Sequence, residues 1–301
     1  MRLLTRSDFD GICCAVLIKE MGLLSEMVYA HPKDLQDGKV AVTKNDILAN
    51  VPYVPGCGLW FDHHSSEQER LGLKGTYEGR SMDAPSAARV ISDYYGADKF
   101  TRFAEMLSIV DRVDAGQLTE MEILDPAGWI MLGFICDPRT GLGYHKEYRI
   151  SNLKFMDDLV EHIRTKSIEE ILDLPDTRER IKLYRENDQK ARVFLKERSR
   201  MEGPVVITDA RGAVEIPPSN RFLVYSLYPK ANIQIRLIDG RGKEFVAISV
   251  GYSILNRTAT VNVGSLMYKH NGGGHKAVGT CQVPYASADQ VLKELIAACQ
   301  A

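Results

Sequence analysis

Short apolar segments, each followed by acidic or imidazole side chains, recur through the first half of the chain. Residues 2–5 form a candidate strand that leads, through a polar turn, into an apolar and helix-like segment at 12–21. Two more strand-like segments follow at 39–43 and 58–61. Strand, polar turn and helix in this order are typical of an α/β unit. The pattern therefore predicts an α/β fold whose N-terminal domain contains a parallel sheet.

Potential metal ligands stand directly after each of these three segments, and a further acidic pair ends a helix predicted at 100–113. The set comprises Asp8, Asp10, Asp46, Asp62, His63, His64, Asp111 and Asp114. Because ligands bind at the carboxyl ends of the strands in open parallel sheets, we expect these groups to converge at one edge. The structural alternatives are a helix cap for Asp10 or His63 and an ordinary surface position for His64.

Carboxylates combined with imidazoles favour borderline divalent cations such as Mn²⁺, Fe²⁺ or Co²⁺. A divalent cation would also offset the repulsion between Asp8 and Asp10, which are two residues apart. The set contains enough ligands for two cations. A two-metal site hydrolyses phosphoesters by activating water and by stabilising the leaving oxygen. The N-terminal half is therefore predicted to be a metal-dependent phosphoesterase.

The pattern changes in the second half of the chain. Positions 152–201 are helical and strongly charged, and 178–200, which lacks Gly and Pro, predicts one long exposed helix. Strand-like segments then occur at 205–208, 222–225, 233–238, 245–250 and 259–261, before a final helix at 287–299. We predict a catalytic metal-binding domain at 1–178, a helical linker at 179–202 and a smaller α+β domain with a mixed sheet at 203–301.

A glycine-rich segment in the second half is a candidate anion site. Gly272, Gly273 and Gly274 precede His275, and consecutive glycines let backbone N–H groups approach an anion closely. Arg257, on a neighbouring strand-like segment, is a candidate phosphate ligand. The alternatives are a flexible hairpin tip for the glycines and simple solvation for Arg257.

Composition narrows the class of substrate and the compartment. The 301 residues carry a formal net charge of -2, which argues against long duplex nucleic acid but permits a small phosphorylated substrate. The N-terminus lacks a signal peptide, and no apolar stretch is long enough to span a membrane, so we predict a cytoplasmic protein. The six cysteines have no CxxC spacing, and we expect them to be reduced and mostly buried.

Several motifs, in this order, resemble those of the DHH phosphoesterase superfamily. They are DFDG at 8–11, Asp46, FDHH at 61–64, Asp111 and GGGH at 272–275. The last motif is similar to that of the branch with a DHH-associated C-terminal domain. Relatives in this superfamily include oligoribonucleases, phosphatases of bisphosphate nucleotides, cyclic-dinucleotide phosphodiesterases and single-strand exonucleases, and some carry exopolyphosphatase labels.

The resemblance implies a site and its cofactor. Two Mn²⁺ ions, with Mg²⁺ or Co²⁺ as substitutes, would be held by Asp8, Asp10, Asp46, Asp62, His63 and Asp111, with Asp114 competing for the place of Asp111. Asp62, His63 and His64 would be catalytic. The segment Gly272 to His275 would bind the nucleotide or its phosphate, and a homodimer is possible by resemblance.

One position departs from the superfamily pattern. A His usually stands two residues before the first Asp, but this chain has Arg6. A guanidinium cannot ligate a metal. One cation must then lose a ligand, take a water or another side chain, or bind weakly. Arg6 is instead a candidate phosphate ligand.

Three functions follow from these observations. The leading hypothesis is hydrolysis of phosphoester bonds in short oligoribonucleotides, in linear or cyclic dinucleotides, or in bisphosphate nucleotides. The second is an exopolyphosphatase or pyrophosphatase, which would need no contact with a base. The third is a non-catalytic nucleotide-binding protein with a degenerate metal site. Its basis is Arg6, which stands where the superfamily usually has a His. Turnover of a dinucleotide against polyphosphate separates the first two, and the metal content tests the third.

Overall fold

Two sheets organise the part of the chain that the computed structural model describes, residues 1–64 and 77–300. The strands are β1 (Arg2–Thr5), β2 (Glu26–Tyr29), β3 (Asp46–Ala49), β4 (Leu59–Asp62), β5 (Gly79–Ser81), β6 (Ser199–Glu202), β7 (Val205–Asp209), β8 (Ile233–Asp239), β9 (Phe245–Tyr252), β10 (Gly273–Gly274) and β11 (Val278–Pro284). The α-helices are α1 (Phe9–Glu20), α2 (Pro32–Gln36), α3 (Ala87–Tyr95), α4 (Ala104–Asp114), α5 (Glu120–Leu124), α6 (Gly128–Cys136), α7 (Asn152–Thr165), α8 (Ile168–Asp173), α9 (Pro175–Arg198), α10 (Leu223–Leu227), α11 (Val263–Tyr268) and α12 (Ala288–Gln300). Short 3₁₀ helices occur at Ala97–Phe103, Pro138–Thr140, Leu142–Tyr144, Arg241–Lys243 and Tyr285–Ser287.

The chain divides into two units. The first comprises Met1–Leu118 and Asp125–Tyr184, and the second comprises Thr119–Leu124 and Arg185–Ala301. Within the described residues, the first unit contains a parallel sheet with the order β2-β1-β3-β4-β5. The second contains a mixed sheet with the order β10-β11-β9-β8-β7-β6, in which β7 and β8 are parallel and the other pairs antiparallel. The predicted fold class is confirmed.

Helix α1 is the central element of the first unit. Every residue from Phe9 to Ile18 is buried, because the helix packs against β1 and against α3, α4, α6 and α7. Burial on all sides explains why the helix has no polar face. Each fully buried Leu, Ile or Val contributes about 1.5–3 kcal/mol of transfer free energy. The start of α1, where Asp8 and Asp10 lie, is therefore held in a rigid environment.

The core of the second unit lies on one face of its sheet. Val246, Ile248 and Val250 alternate with more exposed positions along β9, as expected for a half-buried strand. Leu292 and Leu295 of α12 belong to the same cluster.

None of the helices in the described residues combines the length and the apolar character that a membrane crossing requires.

Three predicted strands are wrong. Residues 39–43 form no strand; Val40 and Val42 pack against the core as an irregular segment, and β3 begins only at Asp46. Residues 222–225 contain the N-cap, Phe222, and the start of helix α10 instead; the Asn220 side chain accepts a hydrogen bond from the Phe222 N–H in the turn that precedes the helix. Residues 259–261 pack on the core without pairing to another described strand. In all three, buried or partly buried apolar residues gave a strand-like pattern without a ladder partner.

The long charged helix predicted at 178–200 is present as α9, which begins three residues earlier. Pro175 occupies its first position, where a missing N–H has no helical acceptor to lose. Helix α9 begins in the first unit and ends in the second. The predicted domain boundaries at 178 and 203 remain a prediction.

Candidate metal centre

Asp8 lies in the turn between β1 and α1 and is held by three neighbours. One carboxylate oxygen accepts hydrogen bonds from the Gly11 N–H at 3.0 Å and from the Asn50 side-chain amide at 2.9 Å. The other oxygen lies 3.2 Å from Arg6 Nε. Asp8 is thus the N-cap of α1 and the partner of a fixed positive charge.

Asp10 stands two residues further on and is buried beneath the start of α3. Its two carboxylate oxygens accept hydrogen bonds from the N–H groups of Ala87 and Ala88, each at 2.9 Å. Burial raises the pKa of Asp10 to about 7, the charges of Asp114 and Asp8 add to the shift, and His63 opposes it. A nearby cation would keep this carboxyl group fully ionised at neutral pH.

His63 follows β4 and directs one ring nitrogen at two carboxylates. Its Nδ1 donates to the Ala84 carbonyl oxygen at 3.1 Å, since a carbonyl can only accept. This leaves the lone pair on Nε2, which lies 3.3 Å from Asp114 Oδ2 and 3.9 Å from Asp10 Oδ2. Nε2 is buried and makes no hydrogen bond to any described residue. The ring is in the tautomer and orientation of a metal ligand.

The three side chains fit a divalent cation. One ligand atom each from Asp10, His63 and Asp114 lies within 4.8 Å of the others. Two carboxylates and one neutral imidazole suit Mn²⁺ and similar cations. A bound divalent cation would satisfy both groups. It would accept the lone pair of His63 Nε2, and it would stabilise the ionised carboxylate of Asp10.

Asp62 and His64 form a second pair beside this cluster. Asp62, the last residue of β4, is buried and accepts a hydrogen bond from His64 Nδ1 at 2.7 Å. Burial acts to lower the pKa of His64, but the hydrogen bond and the charge of Asp62 outweigh it and raise the pKa above its ordinary value. The pair is suited to holding a proton near neutral pH.

Asp46 does not belong to the cluster, which corrects the prediction. It is the first residue of β3 rather than a residue after a strand, and it pairs with Arg2 at 2.7 Å. Arg2 and Asp46 stand opposite each other at the amino ends of parallel strands, whereas Asp8 follows the carboxyl end of β1. Asn50, which follows β3, contacts Asp8 instead. The sequence analysis missed Asn50 because it placed this strand too early.

The structure also distinguishes the two aspartates that end α4. Asp111 accepts hydrogen bonds from the Arg89 guanidinium at 2.6 and 2.9 Å and from the Ser86 hydroxyl at 2.6 Å. Asp114, one turn later, faces His63. The geometry favours Asp114 as the metal ligand. Asp111 instead holds the start of α3 through its hydrogen bonds with Ser86 and Arg89.

Replacing each aspartate in turn tests this distinction. Asp114→Asn removes a ligand charge, so we expect Mn²⁺ affinity to fall at least about a hundredfold. Asp111→Asn should change the affinity by less than about fivefold but lower the free energy of unfolding by about 1–2 kcal/mol, through loss of the Arg89 pair. Calorimetric titration with Mn²⁺ and thermal unfolding measure the two effects. The reverse pattern would restore Asp111 as the ligand.

Arg6 is fixed in place by a close approach of two backbone segments. A Cβ atom on Gly11 would lie 2.1 Å from the Arg6 carbonyl oxygen and 2.9 Å from Thr5 Oγ1. Only glycine at position 11 lets the turn lie against the first turn of α1. The Arg6 side chain therefore reaches Asp8 from a defined backbone position, with 31% of its surface exposed.

Two cysteines stand behind the cluster on the next turn of α1. Cys13 and Cys14 are free and buried, and Cys14 Sγ lies 3.9 Å from Asp10 Oδ1. Burial raises the pKa of both thiols well above the usual value, and the charge of Asp10 adds to the shift. Both thiols are therefore protonated at neutral pH.

The glycine-rich segment of the second unit forms part of its sheet. Gly273 and Gly274 are β10, which pairs with β11. A Cβ atom on Gly272 would lie 2.2 Å from the Thr280 carbonyl oxygen, and one on Gly274 would lie 2.2 Å from that of Val278. Gly272 and Gly274 are thus required for strand packing whatever else they bind, whereas a Cβ atom on Gly273 would meet no atom within 4 Å.

The remaining predicted substrate ligands lie in the same unit. The His275 N–H donates to the Val278 carbonyl oxygen at 2.7 Å. The Arg257 Nε donates to the Ile254 carbonyl oxygen at 3.1 Å. A role in phosphate binding for Arg257, His275 and the three glycines remains a prediction.

Comparison with solved structures identifies the family. PggH from Vibrio cholerae, a pGpG-specific phosphodiesterase, is 42% identical to this chain with a TM-score of 0.79, and the match covers 98% of this chain and 97% of PggH. A DHH domain from a member of the s1p family of ribosomal proteins shares the fold, with 11% identity, a TM-score of 0.61 and coverage of 98% and 86%. No protein-family model and no curated protein matches the chain. The chain belongs to the DHH superfamily of phosphoesterases, and it is an enzyme that hydrolyses phosphoester bonds.

Proposed function

We propose that this enzyme cleaves short linear dinucleotides, with pGpG as the first substrate to test, in a reaction that depends on Mn²⁺ or a similar cation. The observation that carries the choice of substrate is the 42% identity to a pGpG-specific phosphodiesterase, which extends over 98% of the chain. The buried cluster of Asp10, His63 and Asp114 supports the dependence on metal. The reaction consumes one water and converts pGpG into two GMP molecules.

The first unit contains the groups that the chemistry needs. We assign Asp10, His63 and Asp114 to a divalent cation, which, when bound, supplies an activated water and offsets phosphate charge. Ala87 and Ala88 hold the Asp10 carboxylate from the start of α3, so its orientation is fixed before a substrate arrives.

His64 is the proposed proton donor to the leaving oxygen. Its pKa is raised by Asp62, which also fixes the orientation of the ring through Nδ1. A donor with a pKa close to neutral transfers its proton efficiently at neutral pH. Asp62 therefore acts through His64, and its contribution is to position and charge that ring.

The charge of Arg6 affects how many cations the site can hold. The guanidinium contacts Asp8, a carboxylate that the superfamily resemblance assigns to metal binding. A permanent positive charge there opposes a second cation next to the first. We therefore propose one tightly bound cation per chain, at Asp10, His63 and Asp114, in place of the two expected from the resemblance.

An assay of turnover separates the proposed function from its alternatives. With Mn²⁺, the purified enzyme should release GMP from pGpG far faster than it releases phosphate from polyphosphate or pyrophosphate. Asp62→Asn should reduce kcat at least about a hundredfold, because the charge that raises the His64 pKa is lost. Faster cleavage of polyphosphate would favour the exopolyphosphatase alternative. Nucleotide binding without turnover would favour the non-catalytic one.

A further inference from the structure

Helix α6 brings a loop of undefined function to the edge of the metal cluster. All but its first residue are buried. At Gly133, a Cβ atom would lie 3.2 Å from Phe9 Cδ1 and 3.4 Å from Val113 Cγ1. Phe9 stands between Asp8 and Asp10, and Val113 directly precedes Asp114. Helix α6 is therefore packed beside two of the three segments that carry the proposed metal ligands, those of Asp10 and Asp114.

Asp137 and Arg139 occupy the carboxyl end of this helix. Asp137 follows Gly133 by four residues and so lies on the same face, one turn further along. Asp137 Oδ1 accepts hydrogen bonds from both the backbone N–H of Arg139, at 2.8 Å, and its Nε, at 2.7 Å. The Thr140 hydroxyl donates to the Asp137 carbonyl oxygen at 2.7 Å and closes the turn. The guanidinium of Arg139 is therefore oriented by the protein itself.

The outer edge of this guanidinium remains available for a ligand. Among the residues that the structure describes, Arg139 donates no hydrogen bond from Nη1 or Nη2, and 45% of its side chain is exposed. Partial burial acts to lower the pKa of Arg139, but the charges of Asp137, Asp114 and Asp8 outweigh it and raise the pKa. Arg139 thus lies within electrostatic range of Asp114 and Asp8, on the margin of the cluster.

We propose that Nη1 and Nη2 of Arg139 bind non-bridging oxygens of the substrate phosphate that lies against Asp10, His63 and Asp114. The proposal rests on the function proposed above and names a specific phosphate ligand for it. Two parallel N–H groups of a planar guanidinium match two phosphate oxygens, which a lysine ammonium cannot do. Because Asp137 holds Nε, little conformational entropy is lost when the phosphate binds. Arg139 is a binding and positioning residue and takes no part in proton transfer.

Substitution of Arg139 separates substrate binding from metal binding. Arg139→Met should raise KM for pGpG about tenfold to a hundredfold and weaken competitive inhibition by GMP by a similar factor. Arg139→Lys should recover part of both effects through its charge, without the paired geometry. The Mn²⁺ affinity of the nucleotide-free variants, measured by calorimetric titration, should stay within about threefold of the wild-type value.

Arg102→Met is the matched control. Arg102 pairs with one carboxylate, that of Glu20, and is about as exposed as Arg139, at 50%. It should leave KM and the inhibition constant for GMP unchanged. An Arg139→Met enzyme with unchanged KM and GMP inhibition overturns the proposal, and so does one whose Mn²⁺ affinity falls in parallel with its GMP affinity. If the wild-type enzyme turns over no dinucleotide, the proposed function fails, and GMP binding to the Mn²⁺-loaded variants still tests Arg139.

Discussion

His63→Ala is expected to abolish tight metal binding and to lower kcat by about a thousandfold, which corresponds to about 4 kcal/mol of transition-state stabilisation. The Nε2 lone pair is the only imidazole contribution to the cluster of Asp10, His63 and Asp114 among the described residues. Without it, two carboxylates remain, and they repel each other unless one is protonated. The measurements are the metal content of the purified protein, Mn²⁺ titration calorimetry and GMP release from pGpG. We expect one Mn²⁺ per wild-type chain and much less than one per variant.

The fold should survive this substitution. The His63 ring hydrogen-bonds to the neutral Ala84 carbonyl oxygen, so its removal leaves one backbone acceptor without this partner, a small loss for a domain of this size. The control His162→Ala, on α7, removes a half-buried imidazole in the same unit and should change neither metal content nor kcat. A His63→Ala enzyme that retains stoichiometric Mn²⁺ and full turnover would refute the assignment of the metal centre.

Gly11→Ala is expected to have the second large effect, on both stability and metal binding. The new Cβ atom would stand 2.1 Å from the Arg6 carbonyl oxygen, and no side-chain rotation relieves a clash with backbone. The turn must move away from α1, which breaks the cap between Asp8 and the Gly11 N–H. We expect the free energy of unfolding to fall by about 2–4 kcal/mol, the range of overpacked buried sites with a lost cap. Chemical denaturation measures this change.

A matched glycine shows whether the effect is local. A Cβ atom on Gly251, in β9, would meet Tyr225 Oη at 3.6 Å and Val278 Cγ2 at 3.8 Å, which are ordinary contacts. Gly251→Ala should therefore change the free energy of unfolding by less than about 1 kcal/mol. If Gly11→Ala is equally mild and binds Mn²⁺ as the wild type does, the turn is not the constraint described here.

The sequence places best those candidate residues whose signal lies within one short segment, a strand followed by polar residues. Asp8 and Asp10 come within five residues of the end of β1, Asp62 ends β4, and His63 and His64 follow it; the parallel sheet places these strand ends at one edge. The prediction for Asp46 was wrong because Val40 and Val42 give a strand-like pattern, so the strand was placed several residues too early. As a result Asp46 was expected at the carboxyl end of the strand, where Asn50 lies, although it stands at the amino end.

Other assignments depend on choices that only tertiary packing makes. Asp111 and Asp114 differ by one helical turn, and the difference lies in Arg89, which arrives from another helix and occupies Asp111. Arg139 carries no local signal beyond the Asp-Pro-Arg sequence after an apolar helix. Its proximity to Asp8 and Asp114 depends on how α6 packs against α1 and α4. Sequence periodicity predicts elements, but it does not rank alternative contacts between them.

The two buried thiols behind Asp10 have a consequence for which metals the enzyme accepts. A thiol must lose its proton to ligate, and burial keeps Cys13 and Cys14 protonated. Cadmium and monovalent copper, which gain most from thiolate ligands, must therefore displace a proton from a buried thiol before they can use this nearby sulfur. Their competition with oxygen- and nitrogen-preferring cations for the site should accordingly weaken as the pH falls.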